Sequence, residues 1–220
     1  MALDTYAALQ TSVANWLQRT DLVPAIPDFI TLAEAQMNRR LLKDGPVRQM
    51  LTRLAVSITD EFLSVPADFM GAKAFSLTDS IGTVSFDFAE PDQIENLKAQ
   101  YNGQYPTTLV SPSVFTVTGG QFQFWPWSSA NAAPYSAELS YWQRIPALTD
   151  VATSNWVLAN HPDAYLYGAL LQSAPYLKED ERISVWANSF ATILSDIVEA
   201  DKIQRHAPNL AIPTVPSGTP

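Results

Sequence analysis

Few residues in this chain could do chemistry. It has two histidines, His161 and His206, and no cysteine. A disulfide framework, a zinc-thiolate site and a thiol nucleophile are therefore excluded. Nucleophile-elbow, phosphate-loop, GxGxxG and HExxH patterns are absent. Carboxylates are the most plentiful reactive groups. Between Asp60 and Glu138 nine acids (60, 61, 68, 79, 87, 90, 92, 95, 138) face two bases, Lys73 and Lys98, a local net charge of 2 − 9 = −7. Such a segment could hold a hydrolytic carboxylate pair or a calcium ion. No DxDxDG spacing supports calcium, and a catalytic pair is set by distance in the fold, not by spacing. Solvated acids are the simpler reading. No catalytic residue, metal or cofactor is expected.

Bases cluster once. From Arg39 to Arg53 there are five (39, 40, 43, 48, 53) against Asp44 alone, a net of +4. Arg39, Arg40, Lys43 and Arg48 are candidates for a band facing a nucleic acid or an acidic partner. The plainer reading is a helix C-terminus whose dipole they complement. The whole chain carries −9, which disfavours a broad grip on nucleic-acid phosphates. His161-Pro162-Asp163 repeats the tripeptide of J-domain co-chaperones, but no basic helix precedes it. Pro162 as a first helical residue accounts for it.

Aromatic residues are dense around Pro126. Phe122 and Phe124 share one face of a strand, Trp125 and Trp127 the other. They read as insert core with a covered second face, as a contact with a neighbouring subunit or partner, or as a sugar-stacking surface.

The elements that must position these groups fall into three regions. The chain has 16 Pro against 8 Gly, and the two are segregated. Six Gly (45, 71, 82, 103, 119, 120) lie between 45 and 120, and four Pro (208, 213, 216, 220) lie in the last 13 residues. Residues 4–19 form an amphipathic helix with Tyr6, Leu9, Val13, Trp16 and Leu17 on one stripe. A second starts at Pro27 with Ile26, Phe29, Ile30, Ala33, Met37 and Leu41, and Gly45-Pro46 stops it. The period then changes to two at residues 53–58, with short strands at 72–78 and 83–88 and a short helix from Pro91 to Tyr101. Val114-Phe-Thr-Val-Thr-Gly119-Gly120-Gln-Phe-Gln-Phe-Trp125 is a hairpin around a two-residue turn, and 135–142 alternates again. Helical period returns from Asn155. Pro162 opens one helix, with Pro175 near its end, and Asp180 caps a long one with Ile183, Trp186, Ala187, Phe190, Ile193, Leu194, Ile197 and Val198 as its stripe.

The expected fold is α+β: a mainly antiparallel bundle of about four helices with a β-rich insert and an extended C-terminal tail. The expected divisions are 1–46 (two helices), 47–150 (the insert, with its hairpin at 113–125), 151–206 (two helices) and 207–220 (the tail). The N-terminus lacks the basic-then-apolar pattern of a signal peptide. The longest uncharged stretch, Ala99 to Ala137, is too rich in Gln, Ser, Thr, Pro and Gly to span a membrane.

The tail spans about 40 Å if extended. Burying Leu210, Ile212 and Val215 would contribute roughly 5–8 kcal/mol, whereas ordering thirteen backbones costs about 13–26 kcal/mol. One tail held by side chains alone would not stay bound. Strand addition or many tails acting together would be needed; otherwise it is a frayed terminus.

Several segments resemble the adaptor proteins of tailed bacteriophages. They are Val65-Pro-Ala-Asp-Phe69, Gly119-Gly-Gln-Phe-Gln-Phe-Trp-Pro126, Leu139-Ser-Tyr-Trp-Gln-Arg-Ile-Pro-Ala-Leu-Thr-Asp150, and above all Asn155-Trp-Val-Leu-Ala-Asn-His-Pro-Asp-Ala-Tyr-Leu-Tyr-Gly168 continuing through Ala174 to Arg182. Thr5 to Arg40 also fits. The resemblance implies a non-enzymatic virion protein at the head–tail junction, assembled in the host cytoplasm. It implies a ring of twelve copies beneath the portal protein, attachment of a downstream tail or nozzle protein, and a lumen through which double-stranded DNA passes without sequence recognition. It also implies a C-terminal segment docking on the portal, for which Leu210, Ile212, Pro213, Val215 and Pro216 are the candidates. The alternative is a virion-associated glycan hydrolase or carbohydrate-binding module using the acidic insert; it leaves the long helices and the tail unexplained.

Overall fold

The computed structural model describes residues 3–78, 83–101, 111–127, 134–177 and 181–205. The chain divides into two compact units. The described residues of Met1–Arg48 and Ile145–Pro220 form the first, and those of Gln49–Arg144 the second.

The first unit is helical. Helix α1 (Tyr6–Leu17) starts where the Thr5 hydroxyl accepts the Ala8 N–H at 3.3 Å and ends where Gln18 turns left-handed at φ 52°. It buries Tyr6, Leu9, Val13 and Leu17, while Trp16 stays 44% exposed beside Tyr167. A 3₁₀ segment over Thr20–Ala25 leads into α2 (Ile26–Asp44), with Pro27 in its first turn. Every residue of the expected α2 stripe is buried, and Glu34 with them. Gly45, at φ 140°, ends the helix and donates its N–H to the Leu41 carbonyl. Helices α4 (Trp156–Asn160), α5 (Pro162–Gln172) and α6 (Arg182–Arg205) follow after the excursion into the second unit. Asp180 lies outside the described residues.

Helix α5 is the hub of this unit and packs against α1, α2 and α6. Its sequence explains the position. Ala164, Tyr165, Leu166, Gly168, Ala169 and Leu170 are all buried, so the apolar surface runs around the helix, as a helix inside its neighbours requires. Gly168 permits the closest approach: a Cβ there would sit 2.9 Å from Phe190 Cε2 and 3.1 Å from Ala33 Cβ. The expectation of a simple bundle of about four helices is corrected accordingly. Among the described residues the helical unit has five α-helices, and one of them is central. The extra helix, α4, is one short turn nucleated by the Asn155 side chain, whose Oδ1 accepts the Leu158 N–H at 2.9 Å.

Among the described residues the second unit has one α-helix and two four-stranded sheets. Sheet A has the order β1-β8-β3-β4 (Leu51–Ile58, Tyr135–Gln143, Phe69–Thr78, Thr83–Ser85) and is antiparallel throughout. Sheet B has the order β2-β7-β6-β5 (Phe62–Ser64, Gln121–Trp125, Val114–Thr118, Asp87–Phe88), with β5 parallel to β6. Gly119 and Gly120, at φ 59° and 80°, form the two-residue turn between β6 and β7. The inner faces of both sheets share one core. Phe75 sits at its centre, with ring centroids 5.2–5.6 Å from Phe86, Phe115, Phe122 and Phe124. Helix α3 (Pro91–Gln100), started by a Glu90–Gln93 capping box, makes a smaller core of Ala89, Ile94 and Trp125. Among the described residues no helix is long and apolar enough to cross a membrane.

Candidate functional site

The four expected groups of site residues meet different fates. Phe122 and Phe124 are fully buried in the sandwich, and Trp125, at 4% exposure, is buried in the smaller core that α3 helps to form. Trp127 is half-buried, with its ring 6.1 Å from that of Tyr135. Within the described residues, Phe122, Phe124 and Trp125 take the core position that was one of their expected readings. Alternation along β7 sends the two Phe into one core and Trp125 into the other. The tail residues Leu210, Ile212, Pro213, Val215 and Pro216 lie outside the described residues.

The basic cluster splits. Arg39, Arg40 and Lys43 are exposed on the last turns of α2, where the helix dipole favours them. Arg40 Nη1 lies 3.9 Å from Asp44 Oδ2. Arg48 is different. Its Nε donates to Asp201 Oδ1 at 3.0 Å, its backbone N–H donates to the same oxygen at 3.1 Å, and its Nη2 donates to Gln204 Oε1. The Asp201 side chain is 4% exposed, so Arg48 fastens the end of the first helical segment to α6. Between α2, α5 and α6 lies a groove of about 390 Å³. Leu171, Phe190, Leu194 and Val198 line it, and Arg40 and Lys202 are balanced at its rim by Asp44 and Glu199. A rim without surplus positive charge is a poor grip for phosphates.

Several acids of the second unit have structural partners. Asp60 accepts the Glu61 N–H at 2.6 Å. Glu61 Oε1 accepts from Gln123 Nε2 at 2.8 Å and lies 2.8 Å from Lys98 Nζ. Lys98 also lies 3.5 Å from Glu95 and 5.9 Å from the Trp125 ring centroid, tying α3 to sheet B. Asp68 accepts from the Tyr141 hydroxyl at 3.0 Å. Burial, with Asp68 adding to it, pushes that phenol up to about 12. Asp79 lies outside the described residues. Among the described residues no group of three or more His, Cys, Asp or Glu could hold a metal ion. His161 joins α4 to α5, with Pro162 as the first residue of α5.

One polar cluster was not anticipated from the sequence. Glu34 Oε1 accepts from the Leu148 N–H at 2.8 Å and from the Tyr165 hydroxyl at 2.9 Å. Asn155 Nδ2 donates to the Tyr165 oxygen at 2.6 Å and to the Pro146 carbonyl at 2.7 Å. Asn38 Oδ1 accepts the Ile145 N–H at 2.9 Å. Burial pushes the Glu34 carboxyl above its ordinary range, against the pull of its two donors, and pushes the Tyr165 phenol up, with Glu34 adding to the effect. An acid and a phenol at this distance could pass for a catalytic pair. They are enclosed, however, with Tyr165 at 0% and Glu34 at 7% exposure, and the Glu34 oxygen is occupied by structural donors. Their task is to pin residues 145–148 to α2. A sequence signal existed: Glu34 shares the arc of Ile30, Ala33, Met37 and Leu41 on α2.

A model of the family described as SU10 adaptor protein matches residues 4–212, nearly the whole chain. No curated protein matches it.

Proposed function

The chain belongs to the SU10 adaptor protein family, and from that membership we propose that it is the head-to-tail connector of a tailed phage. Membership makes it a structural adaptor of a bacteriophage. The finer reading is a ring of about twelve copies beneath the portal protein. The ring extends the DNA channel and offers its far side to a downstream tail or nozzle protein. The observation that carries this reading is the extent of the match, which takes in both helical segments and the whole β-rich unit.

Physical features agree with a mechanical role. The charge of −9 suits a conduit, since a strongly basic lumen would hold DNA instead of letting it slide. Repetition of one heterologous contact closes a ring. Twelve tails acting together would offset the ordering cost that one tail cannot meet.

The test is removal of Pro208–Pro220. The shortened protein should keep its circular dichroism spectrum and melting temperature and lose binding to portal rings. Undiminished assembly on portal rings would refute the docking role of Leu210, Ile212, Pro213, Val215 and Pro216.

A further inference from the structure

Helix α6 connects the groove of the helical unit to the start of the tail. Phe190, Leu194 and Val198 line the groove as buried side chains, and Ala187, Ala191 and Ser195 line it beside them. The last three recur every four residues, so they share one face of α6 and leave room that larger side chains would fill. From α2, Gln36, Arg40 and Asp44 line the groove at the same spacing. The charges at the rim pair within their own helices. Arg40 Nη1 lies 3.9 Å from Asp44 Oδ2, and Lys202 Nζ lies 3.5 Å from Glu199 Oε2. A charged occupant would lose its water without gaining a surplus partner. The groove therefore suits an uncharged segment with apolar side chains.

The chain's own tail has that chemistry and that reach. From Ala207 to Pro220 there is no Asp, Glu, Lys or Arg, and Leu210, Ile212 and Val215 supply apolar side chains. Lys202, the lining residue nearest the C-terminal end of α6, is three residues before Arg205, where the helix ends. From Val198 back to Ala187 the helix rises about 16 Å. From Leu210 to Val215 an extended chain covers about 16 Å as well. Between Arg205 and Leu210 stand four residues in which to reverse direction, and Pro208-Asn209 among them is a pair suited to a turn. A reversed tail thus brings Leu210 beside Val198 and carries Ile212 and Val215 along the groove toward Ala187.

We propose that in the unassembled protein Leu210–Val215 folds back along α6 of its own chain and fills this groove, and that portal docking draws it out. The second half of the proposal rests on the portal-docking reading given above; the groove contact does not. Ordering these six residues, with the φ of Pro213 already fixed, costs less than half of ordering thirteen. The short tether from Arg205 also holds the segment beside the groove at high local concentration. One tail can therefore be held here although side chains alone would not hold it on a separate protein. The same contact yields when many tails engage a portal ring together. Each tail is kept covered until assembly begins.

The absence of native cysteine gives a clean test. In the full chain, Ile212→Cys is combined with Ala191→Cys or Ser195→Cys in the groove, and with Ala200→Cys as the control. All three helix positions are exposed. Ala200 lies half a turn around α6 from Ala191 and is nearer the tail in sequence, so a tail held nowhere would link to it at least as fast. The purified proteins are oxidised and followed on non-reducing gels, with mass spectrometry to place the bond. The expected result is an intrachain disulfide in at least one groove pair, forming at least tenfold faster than in the control. Equal rates in all three, with portal binding kept by the reduced proteins, would overturn the groove contact and leave portal docking intact. Linked dimers in place of linked monomers would give the groove to a neighbouring copy's tail and overturn the proposal. The linked monomer is then offered to portal rings. It should bind at least tenfold more weakly than Ile212→Cys alone, and reduction should restore that level. A linked monomer that binds portal normally would refute the docking role of the tail and leave the groove contact standing.

Discussion

The Tyr165 hydroxyl donates to Glu34 Oε1 across 2.9 Å, joining α5 to α2 inside the helical unit. The same oxygen accepts the Leu148 N–H, so the bond also fixes where the chain re-enters the helical unit. One carboxylate therefore holds two donors that would be buried without partners if it were removed.

Glu34→Ala should cost about 2–6 kcal/mol, since it strands two buried donors at about 1–3 kcal/mol each, and Glu34→Gln much less. The pH dependence separates these effects. Burial raises the folded-state value of Glu34 above 4.5, so between the two values the folded state binds more protons than the unfolded state. The Glu34 contribution is then fully present below about pH 4.5 and declines as pH rises through the folded value. Urea unfolding across this range should show the decline in the parent protein and a flatter profile in Glu34→Gln. Equal profiles would mean that burial leaves the carboxyl unperturbed.

The basic cluster should respond in two ways. Arg39 and Lys43 are exposed on α2, so Arg39→Glu with Lys43→Glu should change stability by no more than about 0.5 kcal/mol per site. Arg48→Glu places a second carboxylate against the buried Asp201 and should cost about 3 kcal/mol or more. Thermal melts of the two variants check the contrast. If the double variant keeps its fold and loses assembly or DNA packaging, Arg39 and Lys43 face a partner. If both are kept, they serve the helix end alone.

What was legible in the sequence was local. The α2 stripe, the Gly119-Gly120 turn and the alternation of β8 are set by neighbours in the chain, and each forms where its period says. Strand β2 and helix α4, at three and five residues, are too short to show a period. The central place of α5 depends on Gly168 meeting Phe190 and Ala33, which are distant in sequence. Glu34 was hidden for a different reason. Its position on α2 marked it as buried, but its charge argued for the surface, and only Leu148 and Tyr165 reconcile the two. The aromatic run around Pro126 suggested an interface because both faces of β7 are apolar. A strand covered by sheet A on one side and α3 on the other carries the same pattern, so the sequence alone could not separate the two.

That last distinction can be measured. Phe124 is fully buried, with ring centroids 5.3 Å from Phe75 and 5.6 Å from Phe86. Phe124→Ala should cost about 3–5 kcal/mol, combining the lost transfer energy with the cavity left between the two sheets. Phe124→Asp should leave the β-rich unit unfolded, because a buried carboxylate without a partner costs still more. Near-ultraviolet circular dichroism is the informative probe, since Phe122, Phe124 and Trp125 report on the packing of this unit. A surface role predicts the reverse: normal spectra and melting temperature in the purified variants, with the defect appearing only at assembly. The burial of these rings requires the loss to appear in the isolated protein first, before any partner is added.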